Sequence, residues 1–491
     1  MVRIHHLVAT LAFTVFMSSC LPVRRTEPTP RPVALHPDDL PPFDSLKFTP
    51  PPVFRTTLPN GITLFVLTDN EQPIVNVDIL IRGGSQCDPA GKPGVASFTA
   101  GVMRRGGTLH LSADALDDTL DYLAAHLNVG MDVDCASANL NVLRKDFDSG
   151  LAMLADVLIS PAFPENKIVE LQRLTKESIR RRNDDPYEIG RRRFRQIVYG
   201  QGNPWARQLE LEDVDRITRE DLVAFHRTWF RPNVTYMAIS GDITPEEAVA
   251  KVSRAFAGWA VAEVPPLPSP EQNHGMPPGV YHIQKAVNQS AIRMGSTGLR
   301  RHDPDQYAVA VMNQIFGAGT FTSRLGQEVR SNRGLAYYVF GIVLDSPDPD
   351  QGMFLAAVGT RADKTSETIS VMRSVIDSMS IKPVTDDEIS AAKETIINSF
   401  VFSYASPERI AGQEMRLVFD GYPEDYLTSY IPRIRSVTKD DVVRVARKYL
   451  RSDQLRVLVV GDSTRFDGDL GALGPLTSLP PDDPSGDQAP R

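Results

Sequence analysis

The stretch Ile217-Thr218-Arg219-Glu220-Asp221-Leu222, followed by Trp229 and then Gly241-Asp242, recurs as Val437-Thr438-Lys439-Asp440-Asp441-Val442, followed by Tyr449 and Gly461-Asp462. Threonine to aromatic is 11 positions in both copies and threonine to glycine is 23, so every landmark is displaced by 220 residues. Each copy reads as a threonine N-cap with acids in the first helical turn, where the helix dipole favours them. An amphipathic helix then ends at the aromatic, and a strand (Thr235 to Ser240, Leu455 to Val460) closes on a Gly-Asp turn. The period is too long for a solenoid. It predicts two homologous α+β domains, each a mostly antiparallel sheet packed with helices.

Composition agrees with this. The chain has 491 residues, 42% hydrophobic and 23% charged, enough apolar content for sizeable cores. A net charge of −8 argues against a nucleic-acid partner, because phosphate binding needs a basic surface. Cys20, Cys87 and Cys135 are too few for a disulfide scaffold or a thiolate zinc cluster.

The ends differ from the middle. Residues 1–20 carry Arg3 and the apolar run Leu7 to Met17, the length of a signal-peptide core, and close on Met17-Ser18-Ser19-Cys20. Small residues before a cysteine resemble a bacterial lipobox, which implies a lipid-anchored, periplasm-facing protein of the cell envelope with Cys20 as the lipidated residue; the alternative is a plain secretory signal cleaved nearby. Cys87 and Cys135 are then either a disulfide or two buried thiols. Residues 21–52 hold ten prolines and read as an extended spacer. The remainder divides into an N-terminal domain over 53–258, a proline-rich linker over 259–279, a C-terminal domain over 280–465, and a Gly/Pro/Asp tail over 466–491 that reads as disordered.

In the first half, the turn Leu58-Pro59-Asn60-Gly61 feeds strand 62–67, and Val75, Val77, Ile79 and Ile81 alternate along a second strand. Gly83-Gly84-Ser85, Gly91-Lys92-Pro93-Gly94-Val95-Ala96 and Gly107-Thr108 follow. The second half contains Ser323-Arg324-Leu325 and Arg333-Gly334-Leu335-Ala336-Tyr337. Together these resemble the pitrilysin/insulinase-type zinc metallopeptidases, which include the mitochondrial processing peptidases, over most of residues 55 to 462. That family places H-x-x-E-H on the helix after the Gly-Val-Ala segment. Two histidines one turn apart ligate zinc, the glutamate is general base, and a later glutamate is the third protein ligand. Here those positions read Ser97-Phe98-Thr99-Ala100-Gly101. Glu177 falls where the third ligand is expected, with Glu170 one helical repeat earlier, but a lone carboxylate cannot replace the set. Its simpler reading is an ion-paired helix carboxylate near Arg180 and Arg181.

Other motifs have structural explanations. Ser436-Val437-Thr438-Lys439 matches S-x-x-K but lies at the duplicated helix cap. Gly317-Ala318-Gly319 follows a helix, not the strand that a dinucleotide fingerprint requires. The runs Arg180-Arg181-Arg182 and Arg191-Arg192-Arg193 with Arg195 are interleaved with Asp184, Asp185 and Glu188 and read as a solvated helix face, the alternative being a phosphate or acidic-peptide site.

The resemblance implies that the two domains are clamped around a shared chamber. It thus implies an accessory subunit, inactive alone and with no cofactor in this chain, that pairs with a zinc-bearing insulinase-like subunit to hydrolyse peptides. Related peptidases carry an Arg and a Tyr from the second half that bind substrate and stabilise the transition state; the matching positions are Arg330 and Tyr337. The alternative is a peptidase-derived binding or scaffold lipoprotein.

Overall fold

The computed structural model describes residues 49–268, 275–346 and 352–481. The signal-like segment with Cys20 and most of the proline spacer lie outside the described residues.

The first half builds a six-stranded sheet from β1 (Phe54–Thr57), β2 (Thr63–Thr68), β3 (Ile74–Arg82), β4 (His126–Met131), β5 (Cys135–Leu143) and β6 (Thr235–Gly241) in the order β1-β2-β6-β3-β5-β4. All neighbours are antiparallel except β2 and β6. The second half repeats the plan. Strands β7 (Gly279–Gln284), β8 (Gln289–Thr297), β10 (Ala336–Val343), β12 (Met353–Arg361), β13 (Arg456–Gly461) and β14 (Leu476–Ser478) lie in the order β10-β12-β8-β13-β7-β14. Two-residue strands β9 (Leu299–Arg300) and β11 (Asp345–Ser346) form a short parallel ladder beside it.

The 220-residue repeat has a physical basis in matching caps. Thr218 and Asp221 form a capping box for the helix Arg219–Trp229, and Thr438 and Asp441 form the same box for Lys439–Tyr449. Each helix delivers the chain into a strand that pairs antiparallel with a nine-residue strand of its sheet: β6 against β3, and β13 against β8.

Alternation along the strands sends side chains to two buried faces. Leu64, Val66, Val75, Val77, Ile79 and Ile81 join the core under the first half's own helices. Phe65, Leu67 and Ala238, on the other face, pack with Ile410, Ala411 and Met415 of the helix Pro407–Phe419, which belongs to the second half. The exchange is reciprocal. Ile189, Phe194, Ile197 and Val198 of the first half's helix Pro186–Tyr199 pack with Tyr281, Ile283, Leu458 and Val460 of the second sheet. Polar clamps hold both helices. Arg82 donates to the Phe419 carbonyl at 2.6 Å with its guanidinium 4.5 Å from the Phe419 ring, and Lys285 donates to the Asn183 carbonyl at 2.7 Å.

The segments between and after the two halves are tied down by specific contacts. The linker 259–279 is pinned where it is described: Trp259 is buried and donates to the Phe230 carbonyl, while Met276 N donates to the Ile197 carbonyl. The tail over 466–481 is folded, not disordered. Asp467 accepts from the amides of Ser366 and Glu367, and β14 adds a parallel edge strand to β7. Short polar edge strands carry no hydropathy period, which is why composition misled there. Residues 482–491 lie outside the described residues.

Arg324 holds the second half's helices together. It donates Nε and Nη2 to the two oxygens of Glu388 at 2.7 and 2.8 Å, and Nη2 also reaches the Pro383 carbonyl at 3.0 Å. The guanidinium lowers the Glu388 carboxyl from 4.5 to about 2.

Two outcomes follow from these contacts. Phe194→Ala should cost roughly 3–5 kcal/mol and lower the melting temperature of a single calorimetric transition; two resolved transitions, with only one half affected, would contradict the exchanged packing. For Glu388, the lowered carboxyl stabilises the fold fully above about pH 4.5, and that contribution is lost as pH falls toward 2. Glu388→Gln should therefore flatten the acid limb of a stability–pH curve while leaving its shape above about pH 6 unchanged.

Candidate functional site

The helix Val95–Arg105 begins where Asp88, its side chain almost wholly buried, accepts from the amides of Gly94 at 2.8 Å and Ala96 at 2.7 Å. Gly94 has φ +94° and a Cβ there would meet Leu209 at 2.7 Å, so the turn requires glycine. The helix is therefore fixed at the point where the resemblance expects metal ligands. Its side chains there are unsuited to a metal. Ser97 is exposed, Ala100 is buried, and the Thr99 hydroxyl donates to the Val95 carbonyl at 2.8 Å. Gly101 has no side chain to offer, and a Cβ there would lie 3.0 Å from Leu171 Cδ2.

Glu177 does not compensate. It lies on the helix Glu165–Arg181, about half exposed, with Arg173 at 3.7 Å, while Glu170 pairs with Lys167 at 3.4 Å. The ion-paired reading holds, with Arg173 as partner instead of Arg180 or Arg181. Among the described residues no group of three or more His, Cys, Asp or Glu could hold a metal ion. The residues present do not fit zinc.

The second half presents a different chemistry. A π-helical segment, Gly326–Asn332, carries Arg330, and Gly334 with φ +60° turns the chain into β10, which carries Tyr337. The Arg330 guanidinium carbon lies 4.9 Å from the centroid of Tyr337 and 4.3 Å from that of Phe321. Both rings are exposed, Tyr337 to 84% and Phe321 to 62%. Glu328, the acid that could have neutralised Arg330, instead accepts from Asn332 at 3.1 Å. The family resemblance singles out Arg330 and Tyr337; Phe321, in the loop after Gly319, matches no motif. Tyr338, the next residue, packs against Tyr187 of the exchanged helix with ring centroids 5.8 Å apart, and burial raises its phenol pKa. A cation held between two aromatic faces keeps its outward N–H donors for a carbonyl or carboxylate, and the phenol adds a further donor.

The remaining motifs resolve structurally. Ser436 donates to the Arg433 carbonyl and Lys439 pairs with Asp386 at 2.7 Å, so no S-x-x-K dyad forms. Gly317 faces Gly341, where a Cβ would meet the backbone at 2.5 Å; the glycine serves close helix-to-strand packing. Cys87 and Cys135 are both free and buried, and burial pushes each thiol up to about 12. Arg180, Arg181, Arg191 and Arg195 are exposed, as a solvated face expects, whereas Arg192 is buried and its guanidinium is lowered to about 10 by burial and by Arg182.

Comparison with known proteins agrees with this architecture. The family model described as Insulinase (Peptidase family M16) matches residues 64–206, and the model described as Peptidase M16 inactive domain matches residues 216–396. A protein of Streptomyces coelicolor described as an uncharacterized zinc protease is 27% identical over 409 residues, covering 81% of this chain and 87% of its own length. A similarly described protein of Rickettsia bellii is 24% identical, covering 82% and 96%. Among solved structures, a peptidase M16 inactive domain from Pseudomonas fluorescens superposes with TM-score 0.73 at 24% identity over 84% of this chain and 98% of its own. The periplasmic protease PqqL from Escherichia coli gives 0.72 at 14% identity over 85% of this chain and 46% of its own. The first matched segment lies within the first half, the second runs from the capped helix and β6 of that half into the second sheet, and the chain belongs to peptidase family M16, the insulinase-like peptidases.

Proposed function

We propose that this protein is the accessory subunit of a peptide-hydrolysing pair in the cell envelope. A zinc-bearing M16 partner supplies metal and general base, and this chain supplies Arg330 and Tyr337. The observation that carries the reading is an asymmetry within one fold: the helix at the metal position carries Ser97, Ala100 and Gly101 instead of ligands, while Arg330 and Tyr337 stand exposed and in contact. A guanidinium with free donors holds a peptide carbonyl or terminal carboxylate, and the Tyr337 hydroxyl donates toward the oxyanion that develops as the partner's nucleophile attacks. No metal step is assigned to this chain.

Cys20 is the proposed lipidation point, which holds the protein against the membrane on its proline spacer. Among the described residues no helix is long and apolar enough to cross a membrane. The Escherichia coli neighbour is a periplasmic protease, a location consistent with such a compartment. The second reading, a scaffold lipoprotein without a proteolytic role, explains the lost metal site but not the exposure of an arginine held between two aromatic rings.

The test is purification of the full chain from its native membrane. A zinc-bearing M16 subunit should accompany it, and the pair should cleave peptides that neither chain cleaves alone. Tyr337→Phe or Arg330→Ala should leave assembly intact and lower the activity of the pair by about 10²-fold, the scale of losing one oxyanion donor. Full activity in an assembled double variant would favour the scaffold reading.

A further inference from the structure

The chain is acidic overall, at −8, yet seven arginines fall between residues 180 and 195. A cavity of about 530 Å³ between the end of the helix Glu165–Arg181 and the start of Pro186–Tyr199 is lined by five guanidinium groups: Arg181, Arg182, Arg191, Arg192 and Arg195. Three carboxylates share the lining, and two of them are already engaged. Glu188 pairs with Arg191 at 2.6 Å, and Asp185 caps its helix by accepting from the Tyr187 amide at 2.6 Å. Two of the arginines are committed to fixed partners: Arg182 reaches Glu210 at 2.7 Å, and Arg192 donates to the Arg182 carbonyl at 2.9 Å and to Asn183 at 2.7 Å. The side chains of Arg181 and Arg195 have neither a hydrogen bond nor an ion pair with any described residue.

Arranged in this way, Arg182 and Arg192 form a fixed cationic floor, and Arg181 and Arg195 stand at its rim with free donor forks. Burial and mutual repulsion already disfavour the charge on Arg192, so an incoming anion would relieve a cost that the fold carries. The Ser178 side chain adds a hydroxyl donor to the lining. The position also indicates which anion. Tyr187, one turn before Arg191 on the same helix, packs on Tyr338, the residue after Tyr337. The helix that lines the cavity therefore touches the same strand that carries Tyr337.

We propose that this cavity is an acidic-peptide subsite, in which Arg181 and Arg195 hold Asp or Glu side chains or the terminal carboxylate of the substrate. The proposal rests on the reading of this chain as a peptide-binding subunit and names the substrate class: peptides carrying negative charge on one side of the site. Because the readout below is binding to the isolated chain, it is independent of whether a zinc-bearing partner exists.

The probe is a fluorescein-labelled nonapeptide with four glutamates, compared with its glutamine isostere by fluorescence anisotropy on the purified full chain. The acidic peptide should bind about ten-fold more tightly at low salt, with the difference shrinking as ionic strength rises. Arg181→Gln/Arg195→Gln should reduce its affinity to that of the isostere without moving the melting temperature. Arg105→Gln/Arg447→Gln, which removes the same charge elsewhere on the surface, should leave binding unchanged. Equal binding of the two peptides, an equal loss in the control variant, or saturable uptake of inorganic phosphate by a protein that ignores the acidic peptide would each overturn the proposal.

Discussion

Two helices, each packed on the sheet of the opposite half, hold this molecule together. Pro186–Tyr199 covers part of the second sheet and Pro407–Phe419 covers part of the first, so each half buries apolar strand residues that its own helices cannot reach. Leu458 and Val460, or Phe65 and Leu67, would otherwise face water. The hydrophobic effect acts here on both sheets through one reciprocal contact. The halves are consequently one folding unit, although each repeats the same strand order. The exchange also sets where functional groups lie. Tyr187 reaches Tyr338 only because its helix crosses to the other sheet, and the arginine cavity forms at the bend where the chain leaves one half for the other.

Within that frame the two halves have diverged chemically. The first keeps the glycine-dependent turn and the buried Asp88 anchor that aim the helix Val95–Arg105, yet Ser97, Ala100 and Gly101 stand where ligands would converge. Retaining the scaffold while losing the ligands is what packing demands: the helix still covers the core through Val95, Phe98 and Val102, and those residues are under a constraint that Ser97 is not. The second half retains an arginine whose charge is balanced by ring faces instead of a carboxylate, which leaves its donors available.

Much of the fold was legible from the repeat. Capping threonines, acids at the third helical position and the closing glycines are local devices, and the structure has them at both copies with the boundaries the spacing implied. The strand of Val75, Val77, Ile79 and Ile81 was equally clear from its alternation. What the sequence hid was non-local. The helix Pro186–Tyr199 reads as a solvated arginine face because periodicity reports an apolar stripe without saying whose sheet it covers. The strand Leu476–Ser478 is ordered by backbone pairing to β7, which no side-chain pattern encodes. At the candidate site, the absence of histidines at 97 and 101 was visible from the motif, whereas Phe321 joins Arg330 only through the path of a loop.

The central claim, that this chain has given up its own metal chemistry while keeping the rest of the fold, is tested most directly by zinc. The purified full chain, dialysed against metal-free buffer and titrated with zinc in a calorimeter with elemental analysis alongside, should show no stoichiometric tight site, and a chelator should leave its melting temperature unchanged. One zinc retained per chain, with a melting temperature that falls on chelation, would contradict the account.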